Sequence, residues 1–506
     1  MVLIYKIKKI KISIAKYIFE CYNVGEILNS NGKGTKRSYI VTSKVDILKG
    51  SIVKNIIMFT LPIMLQSILQ TLYNIADLYI VGEFAPTQEA GKTALAAVGA
   101  TSSIFNVMTA LFMGIAVGVD VVTSYNYGRE HYDKVKKAID TAIVSALFLG
   151  VICTGIGLLV ARPVLVLMDT PAESGVLDQA VLYLSVLMAG VPFSLMFNFC
   201  SAIFRTAGKT NKPFIYLAIS GALNVLLNLL FVAVFGWGVF GVALATVISQ
   251  AVSCVLLFIT LLRNKGLFTF SFKNIEFSWK IFGRIVAIGI PAGLQSSAFS
   301  LSNAFLQTGI NYLKDDAIAA GTAVNTFEGL MWVTLCSFNN TTTTFISQNY
   351  GAGDMKRAKK SAIYGLLMTA VLGVILGLSM YFAGDFLMNL FKGVRGNEVA
   401  LNFARDRYYV TFPIYFLAGI MSVMPGVIRG FGSSLPPSII SLVGACGSRI
   451  IWVFTVFEMV KDQPHAMSYL FLIHPITWVL TNIALFINLI IVYRKAKRRI
   501  NLWTTK

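Results

Sequence analysis

Residues 61 to 67 read Leu-Pro-Ile-Met-Leu-Gln-Ser, and residues 290 to 296 read Ile-Pro-Ala-Gly-Leu-Gln-Ser. Asn74 follows the first stretch at the same distance at which Asn303 follows the second. A single echo of this kind arises by chance in apolar sequence, but several in the same order indicate an internal repeat. Two further pairs recur in that order, Asn126-Tyr127-Gly128 with Asn349-Tyr350-Gly351 and Arg205 to Gly208 with Arg429 to Gly432.

The composition places this repeat in a lipid bilayer. Of 506 residues, 56% are apolar and 13% are charged, so a water-soluble fold could not bury the apolar surface. Each crossing needs about 20 apolar residues in a helix, because lipid offers no partner for open backbone groups. We predict an all-α membrane protein with twelve transmembrane helices in two six-helix lobes. The predicted spans are 53–81, 94–124, 138–160, 178–203, 213–235, 239–262, 281–312, 317–349, 361–391, 408–428, 436–457 and 467–493.

The formal net charge of +20 indicates membrane orientation rather than nucleic-acid binding. Most basic residues fall in alternate loops, such as Arg129 to Lys137 and Lys356 to Lys360, and in the segment Arg494 to Arg499. Cytoplasmic loops carry such an excess. We therefore predict a multi-pass protein of the plasma membrane, the bacterial cell membrane, with both termini cytoplasmic. Arg449 lies deep inside a predicted span, whereas Lys54 and Arg284 lie within the first four residues of theirs.

The repeat and the loops define five predicted segments. The segments are a basic tail (1–48), a first lobe (49–262), a cytoplasmic linker (263–280), a second lobe (281–494) and a basic cytoplasmic tail (495–506).

Two acids, Asp120 and Asp140, lie near the cytoplasmic ends of predicted spans. We expect them to be solvated or paired with loop residues.

A stripe of polar residues runs along the first predicted span. Gln66, Gln70, Asn74 and Asp77 are spaced so that they fall within an arc of about 80° on a helix. An ionisable group inside a span usually belongs to an ion or substrate path, although Asp77 could also be a helix-end acid near the interface. We expect the three amides to line an inward-facing polar cavity and Asp77 to lie on an ion or substrate path.

The fifth and sixth spans add oxygen ligands. Asn224 and Asn228 are four residues apart in the fifth span, and Thr246 lies in the sixth. Carbonyl and hydroxyl oxygens suit a hard cation, but the same side chains could be hydrogen-bonding contacts between helices in lipid.

The second half has a polar face of its own on the eighth span, within an arc of roughly 60°. Its acid, Glu328, could neutralise a cationic substrate, take up a proton, pair with Arg449 or line a pore. The repeat places Gln295 and Asn303 at the positions that correspond to Gln66 and Asn74. The predicted substrate-cavity residues of this half are Gln295, Asn303, Asn325, Glu328, Asn339 and Thr343.

Several motifs resemble the multidrug and toxic compound extrusion (MATE) family over about residues 49 to 495. The motifs are the helix starts with Pro62 and Gln66 and with Pro291 and Gln295, the hexapeptide Leu72-Tyr73-Asn74-Ile75-Ala76-Asp77, and Asn224 followed by residues 236 to 250, which read Gly-Trp-Gly-Val-Phe-Gly-Val-Ala-Leu-Ala-Thr-Val-Ile-Ser-Gln.

The resemblance implies a V-shaped twelve-helix fold and export of drugs or metabolites by alternating access in exchange for Na⁺ or H⁺. It also implies a first-lobe cation site at Asp77, Asn224 and Thr246, with an aspartate at the position of Asn228. Because this chain has an amide there, the coupling ion and its stoichiometry stay open. We expect an antiporter, acting as a monomer among membrane lipids, whose substrates are small organic compounds, cationic or aromatic ones included. We expect no cofactor beyond the coupling ion.

Other classes of protein fit less well. The chain has no phosphate-binding loop for ATP, no nucleophile motif and no histidines spaced for a metal, so an integral membrane enzyme is a remote alternative. A flippase for lipid-linked oligosaccharides, from the same wider superfamily, is a nearer one. Such a flippase should carry several cavity arginines, whereas Arg449 is the only arginine deep inside a predicted span.

Overall fold

The computed structural model describes residues 45–84, 87–168, 170, 175–264 and 266–504. Nearly all of the predicted basic tail, 1–48, lies outside these residues. The described chain from Asp46 onward belongs to one compact unit. Its secondary structure is helical throughout, with short turns between helices.

Among the residues that the structure describes, seven α-helices form the first half. The break between the fourth and fifth lies at Gly190, where the chain bends by 43°; Pro192 follows it and cannot donate a helical hydrogen bond. The sixth continues into a π-helical turn, Leu229–Val234. The helices are α1 (Ile52–Glu83), α2 (Gln88–Gly128), α3 (Tyr132–Leu167), α4 (Val176–Ala189), α5 (Val191–Thr206), α6 (Asn211–Asn228) and α7 (Gly238–Arg263).

Over the described residues 279 to 504, eleven α-helical segments form the second half. Two π-helical turns, Leu442–Gly447 and Val453–Phe457, join three short segments into one helical span. The segments are α8 (Trp279–Tyr312), α9 (Lys314–Gly351), α10 (Met355–Phe382), α11 (Gly384–Met388), α12 (Glu398–Thr411), α13 (Tyr415–Gly430), α14 (Leu435–Ser441), α15 (Ser448–Trp452), α16 (Glu458–Val460), α17 (Ala466–Phe471) and α18 (Ile473–Thr504).

The predicted count of twelve apolar spans is not matched in full. Within the described residues, ten helices are long and apolar enough to cross a membrane, or eleven if the bent pair α4 and α5 is one span. The predicted span 317–349 is helical, as part of α9, but it is not among the ten. Its many threonines and asparagines lower its hydropathy, and nearly all of its last eleven residues are fully buried. This helix is shielded from lipid by protein, so it needs no continuous apolar surface.

Two predicted boundaries in the second half were wrong. The span predicted at 361–391 ends at Phe382, and the span predicted at 408–428 begins ten residues earlier, at Glu398. Asn397 caps that helix, because its side chain accepts from the backbone N–H groups of Val399 and Ala400. The charged residues of this first stretch hid the helix from a reading based on apolar runs.

The linker packs against α3. Lys137 and Glu276 form an ion pair with a 2.9 Å separation, and this partner lowers the pKa of the Glu276 carboxyl. The backbone N–H of Glu276 also donates to Asp140 at 3.2 Å. Asp140 is fully buried, so of the two predictions for this acid the loop-paired one is the one observed.

The two halves meet through glycines on α2, α8 and α9. A Cβ on Gly114 would lie 2.2 Å from the backbone nitrogen of Gly293, so α2 and α8 approach backbone to backbone. The repeated Asn-Tyr-Gly motifs pack reciprocally: a Cβ on Gly128 would lie 2.0 Å from the carbonyl oxygen of Gln348, and one on Gly351 would lie 2.2 Å from that of Tyr125. Such close approach is what small residues allow in membrane helices. We call this end, where α2 and α9 finish and the basic stretches Arg129 to Lys137 and Lys356 to Lys360 follow them, the basic end.

Candidate functional site

The first polar cluster lies where α1, α6 and α7 meet, toward the end opposite the basic end. Asn228 Nδ2 donates to Asp77 Oδ1 at 2.5 Å, and Thr246 Oγ1 donates to Asp77 Oδ2 at 3.3 Å. Asn224 completes the group, since it accepts from Asn228 at 3.3 Å and donates to Thr246 at 3.4 Å. The structure thus brings together the four residues predicted for the cation site.

The Asp77 carboxylate lacks a charged partner. Its residue is 9% exposed, and it forms no ion pair with any residue that the structure describes. Asn228 Oδ1 is also buried and has no hydrogen-bond partner. A buried carboxylate is costly unless a cation or a proton neutralises it. With oxygen atoms from two amides and a hydroxyl beside it, this site has ligands of the type that Na⁺ accepts.

Local packing positions this cluster. Gly221 lets α1 and α6 approach, because a Cβ there would lie 1.8 Å from the ring of Tyr73. Tyr73 is one helical turn before Asp77, so the contact fixes the carboxylate opposite Asn228. The π-helical turn Leu229–Val234 begins directly after Asn228. π-helical turns are often found at functional sites.

The remaining predicted residues of α1 face open space. Gln66 is half-buried, whereas Gln70 and Asn74 are exposed. Asn303 of α8 and Asn325 of α9 are exposed as well. Amides in a membrane span avoid lipid and instead face protein or water, so the exposure of these side chains is compatible with the predicted cavity, which stays a prediction.

Glu328 has a partner that the sequence did not suggest. Arg407 Nη2 lies 2.6 Å from its carboxylate, and Thr411 donates to it at 3.1 Å. Arg407 also donates to Asn325 Oδ1 at 2.5 Å and lies over the ring of Phe471 at 4.0 Å. The pairing of Glu328 with Arg449 is not observed, and Glu328 is held in a compensated ion pair.

Three other predicted cavity residues hold helices together. Gln295 is buried and accepts a hydrogen bond from Arg429. Asn339 donates to the carbonyl oxygen of Ser422 at 2.5 Å, and Thr343 donates to that of Gly426 at 3.0 Å. These contacts join α8 and α9 to α13. The structure does not group them with the exposed amides.

The expectation of a single arginine inside the spans was wrong. Arg407, Arg429 and Arg449 are all buried in the second half, with exposures of 2%, 4% and 4%. Arg407 was missed because the predicted span began one residue after it, and Arg429 because the predicted span ended one residue before it. Counting arginines therefore does not separate an antiporter from a flippase in this chain.

A second cluster closes the basic end. Asp120 is buried and pairs with Arg205 at 3.2 Å, so this acid is neither solvated nor paired with a loop residue, because Arg205 lies in the last turn of α5. Across the two halves, Thr344 donates to Asp120 at 2.8 Å, and Gln348 donates to the carbonyl oxygen of Thr206 at 2.8 Å. These bonds and the glycine contacts hold the halves together at the basic end.

A family profile described as MatE matches residues 62–230 and 291–455. The chain belongs to the MATE family. The two matches begin at Pro62 and Pro291, the prolines of the repeated heptapeptide, which confirms the internal repeat. Because the family is one of membrane transporters, the membrane class predicted from composition is confirmed too.

Known relatives match most of the chain. A probable multidrug resistance protein of Bacillus subtilis, YoeA, is 24% identical over 434 residues, which are 84% of this chain and 91% of the relative. The multidrug export protein MepA of Staphylococcus saprophyticus is 24% identical over 399 residues, 78% of this chain and 85% of the relative. A crystal structure of MATE in the bent conformation has a TM-score of 0.80 at 20% identity and covers 91% of this chain and 100% of that one. This structural similarity shows the MATE fold.

Proposed function

We propose that this protein exports small organic compounds from the cell in exchange for one Na⁺ or H⁺ that binds at Asp77. The supporting observation is the buried Asp77 carboxylate, which has oxygen ligands around it and forms no ion pair in the described chain. Relatives named for multidrug resistance and multidrug export support small drug-like molecules as the cargo.

One carboxylate sets the stoichiometry. With Asn228 in place of a second acid, the site is neutral when Asp77 holds one proton or one Na⁺. Neutralisation removes the cost of a charge in a region of low dielectric, so the occupied site can pass through a closed state that the empty site resists. Exchange of that ion for a substrate at the opposite membrane face then drives export.

The experiment is dye efflux from vesicles that contain the purified protein. Ethidium serves as the cationic aromatic dye, and the Na⁺ gradient and the pH gradient are imposed separately. We expect one of the two gradients to drive efflux, and the one that does names the coupling ion. Undiminished efflux in the absence of both gradients would rule the proposal out. A lipid-flipping assay on the same vesicles separates an exporter from an oligosaccharide flippase.

A further inference from the structure

The interiors of the two halves carry uncompensated charges of opposite sign. In the first half, Asp77 has no basic partner. In the second half, Arg449 is buried and forms no ion pair with any residue described, whereas Arg407 is compensated by Glu328. Arg429 also forms no ion pair with a described acid, but its hydrogen-bond partner, Gln295, is itself buried. Arg429 lies in the last turn of α13, just before the chain turns at Gly432. Arg449 is the one that contacts an exposed residue of the predicted cavity, Asn303.

The repeat places Arg449 at the counterpart of the first-half site. The offset that relates Pro213 to Pro437 also relates Asn224 to Ser448, the immediate neighbour of Arg449. The same offset relates the π-helical turn after Asn228 to the turn Val453–Phe457. The helix that supplies Asn224 and Asn228 to the carboxylate site of the first half thus corresponds to the helix that carries a buried guanidinium in the second half.

The surroundings of Arg449 leave it able to bind a ligand. Its Nη1 donates to Asn303 Oδ1 at 3.0 Å and to Ser302 Oγ at 3.4 Å, while its buried Nε has no partner. Asn303 is exposed, so the guanidinium lies directly behind the cavity wall. Next to it are two aromatic rings: Phe299 has its centroid 5.8 Å from the Arg449 Cζ, and the ring of Trp332 lies 5.9 Å from that of Phe299.

We propose that Arg449 binds the anionic group of an exported compound, a carboxylate or a sulfonate, and that Phe299 and Trp332 contact its aromatic body. Arginine presents a planar fork of donors that matches such groups, and it keeps its charge when buried. A bound anion supplies the counter-charge that the second half lacks, while the coupling ion supplies the one that Asp77 lacks. This inference rests on the proposed export of small organic compounds and adds a substrate class to it.

Three probes with one ring system and different charge test the proposal: naphthalene-2-sulfonate, naphthalene-2-sulfonamide and 2-naphthyltrimethylammonium. Their affinities for the purified full-length protein are measured by equilibrium dialysis. We expect the wild type to bind the sulfonate at least tenfold more tightly than the neutral sulfonamide. We expect Arg449→Gln to weaken sulfonate binding by tenfold or more, as for loss of a charged hydrogen bond. The affinities for the sulfonamide and the trimethylammonium probe should stay within threefold of their wild-type values. Arg449→Lys should retain most of the preference, and Arg162→Gln, which removes an exposed arginine, should change nothing.

Equal wild-type affinity for the sulfonate and the sulfonamide would overturn the inference without any variant. Unchanged sulfonate binding in Arg449→Gln, or an equal loss for all three probes, would also overturn it, the latter in favour of a structural role. Ethidium efflux is read in parallel. Intact gradient-driven efflux with no preference for the sulfonate would sink only this inference, whereas a preference for the sulfonate without any efflux would sink the proposed function and leave the site standing.

Discussion

We predict that the ion pair of Arg407 and Glu328 stabilises the folded protein. Arg407 is 2% exposed and the Glu328 side chain 15% exposed, with 2.6 Å between them. At an effective dielectric of about 20, two unit charges at about 4 Å attract by roughly 4 kcal/mol, and removing one partner of a buried pair typically costs about 3–5 kcal/mol. Because Asn325 and the Gly321 carbonyl still accept from Arg407, we expect Glu328→Gln to cost about 3 kcal/mol.

A double-mutant cycle isolates this interaction. The free energy of unfolding is measured by denaturant titration of wild type, Glu328→Gln, Arg407→Gln and the double variant in one detergent. We expect a coupling energy of about 2 kcal/mol or more, with the double variant more stable than the sum of the single losses predicts. Additive losses, to within about 0.5 kcal/mol, would refute the pairing. Glu328→Gln protein that is still folded should keep the gradient dependence of wild-type efflux, because we propose that the coupling ion binds at Asp77.

Three further predictions concern the basic end, the pH range and the topology. Gly128→Ala should separate the halves at the basic end, because its Cβ would lie 2.0 Å from a carbonyl oxygen, and cysteines introduced there should be labelled more. Gly99→Ala on the same helix, where nothing lies within 4 Å of the added Cβ, should leave that labelling unchanged. Asn228→Asp places a second carboxylate in contact with Asp77, and two adjacent like charges keep a proton to higher pH. Efflux should therefore stay active to higher pH than in the wild type, and an unchanged pH profile would contradict the observed proximity. Membrane-impermeant thiol reagents should reach cysteines placed at Lys356 to Lys360, or after Arg494, only from the cytoplasmic face, and labelling from outside would overturn the predicted topology.

The repeat and the polar stripe could be predicted from the sequence because a bilayer allows few solutions. Lipid forces helices, and an acid within a span has few uses, so the amino-acid pattern alone singles out Asp77. Its neighbours on α6 and α7 were predicted as one site with it only through the family resemblance. The two arginines next to predicted span boundaries give no such signal. A reading by apolar runs assigned Arg407 to a loop, although Asn397 and Glu398, a capping residue followed by a first-turn acid, are typical of a helix start.

Other features lie beyond a single sequence. A π-helical turn inserts one residue into a helix without any characteristic side chain, so those that follow Asn228 and flank Arg449 gave no signal. The partners of Gln295, Asn339 and Thr343 depend on how α13 packs against α8 and α9. Their polarity was visible in the sequence, whereas the choice between cavity and helix contact depended on tertiary structure.

The central claim is that Asp77 binds the coupling ion, and the most direct test is Asp77→Asn in vesicles. The matched control is Asp178→Asn, the same change at an exposed acid. We expect Asp77→Asn protein to insert normally but its gradient-driven ethidium efflux to fall to the level of protein-free vesicles, while the control matches wild type. Normal gradient-dependent efflux by the Asp77→Asn protein would show that Asp77 does not bind the coupling ion.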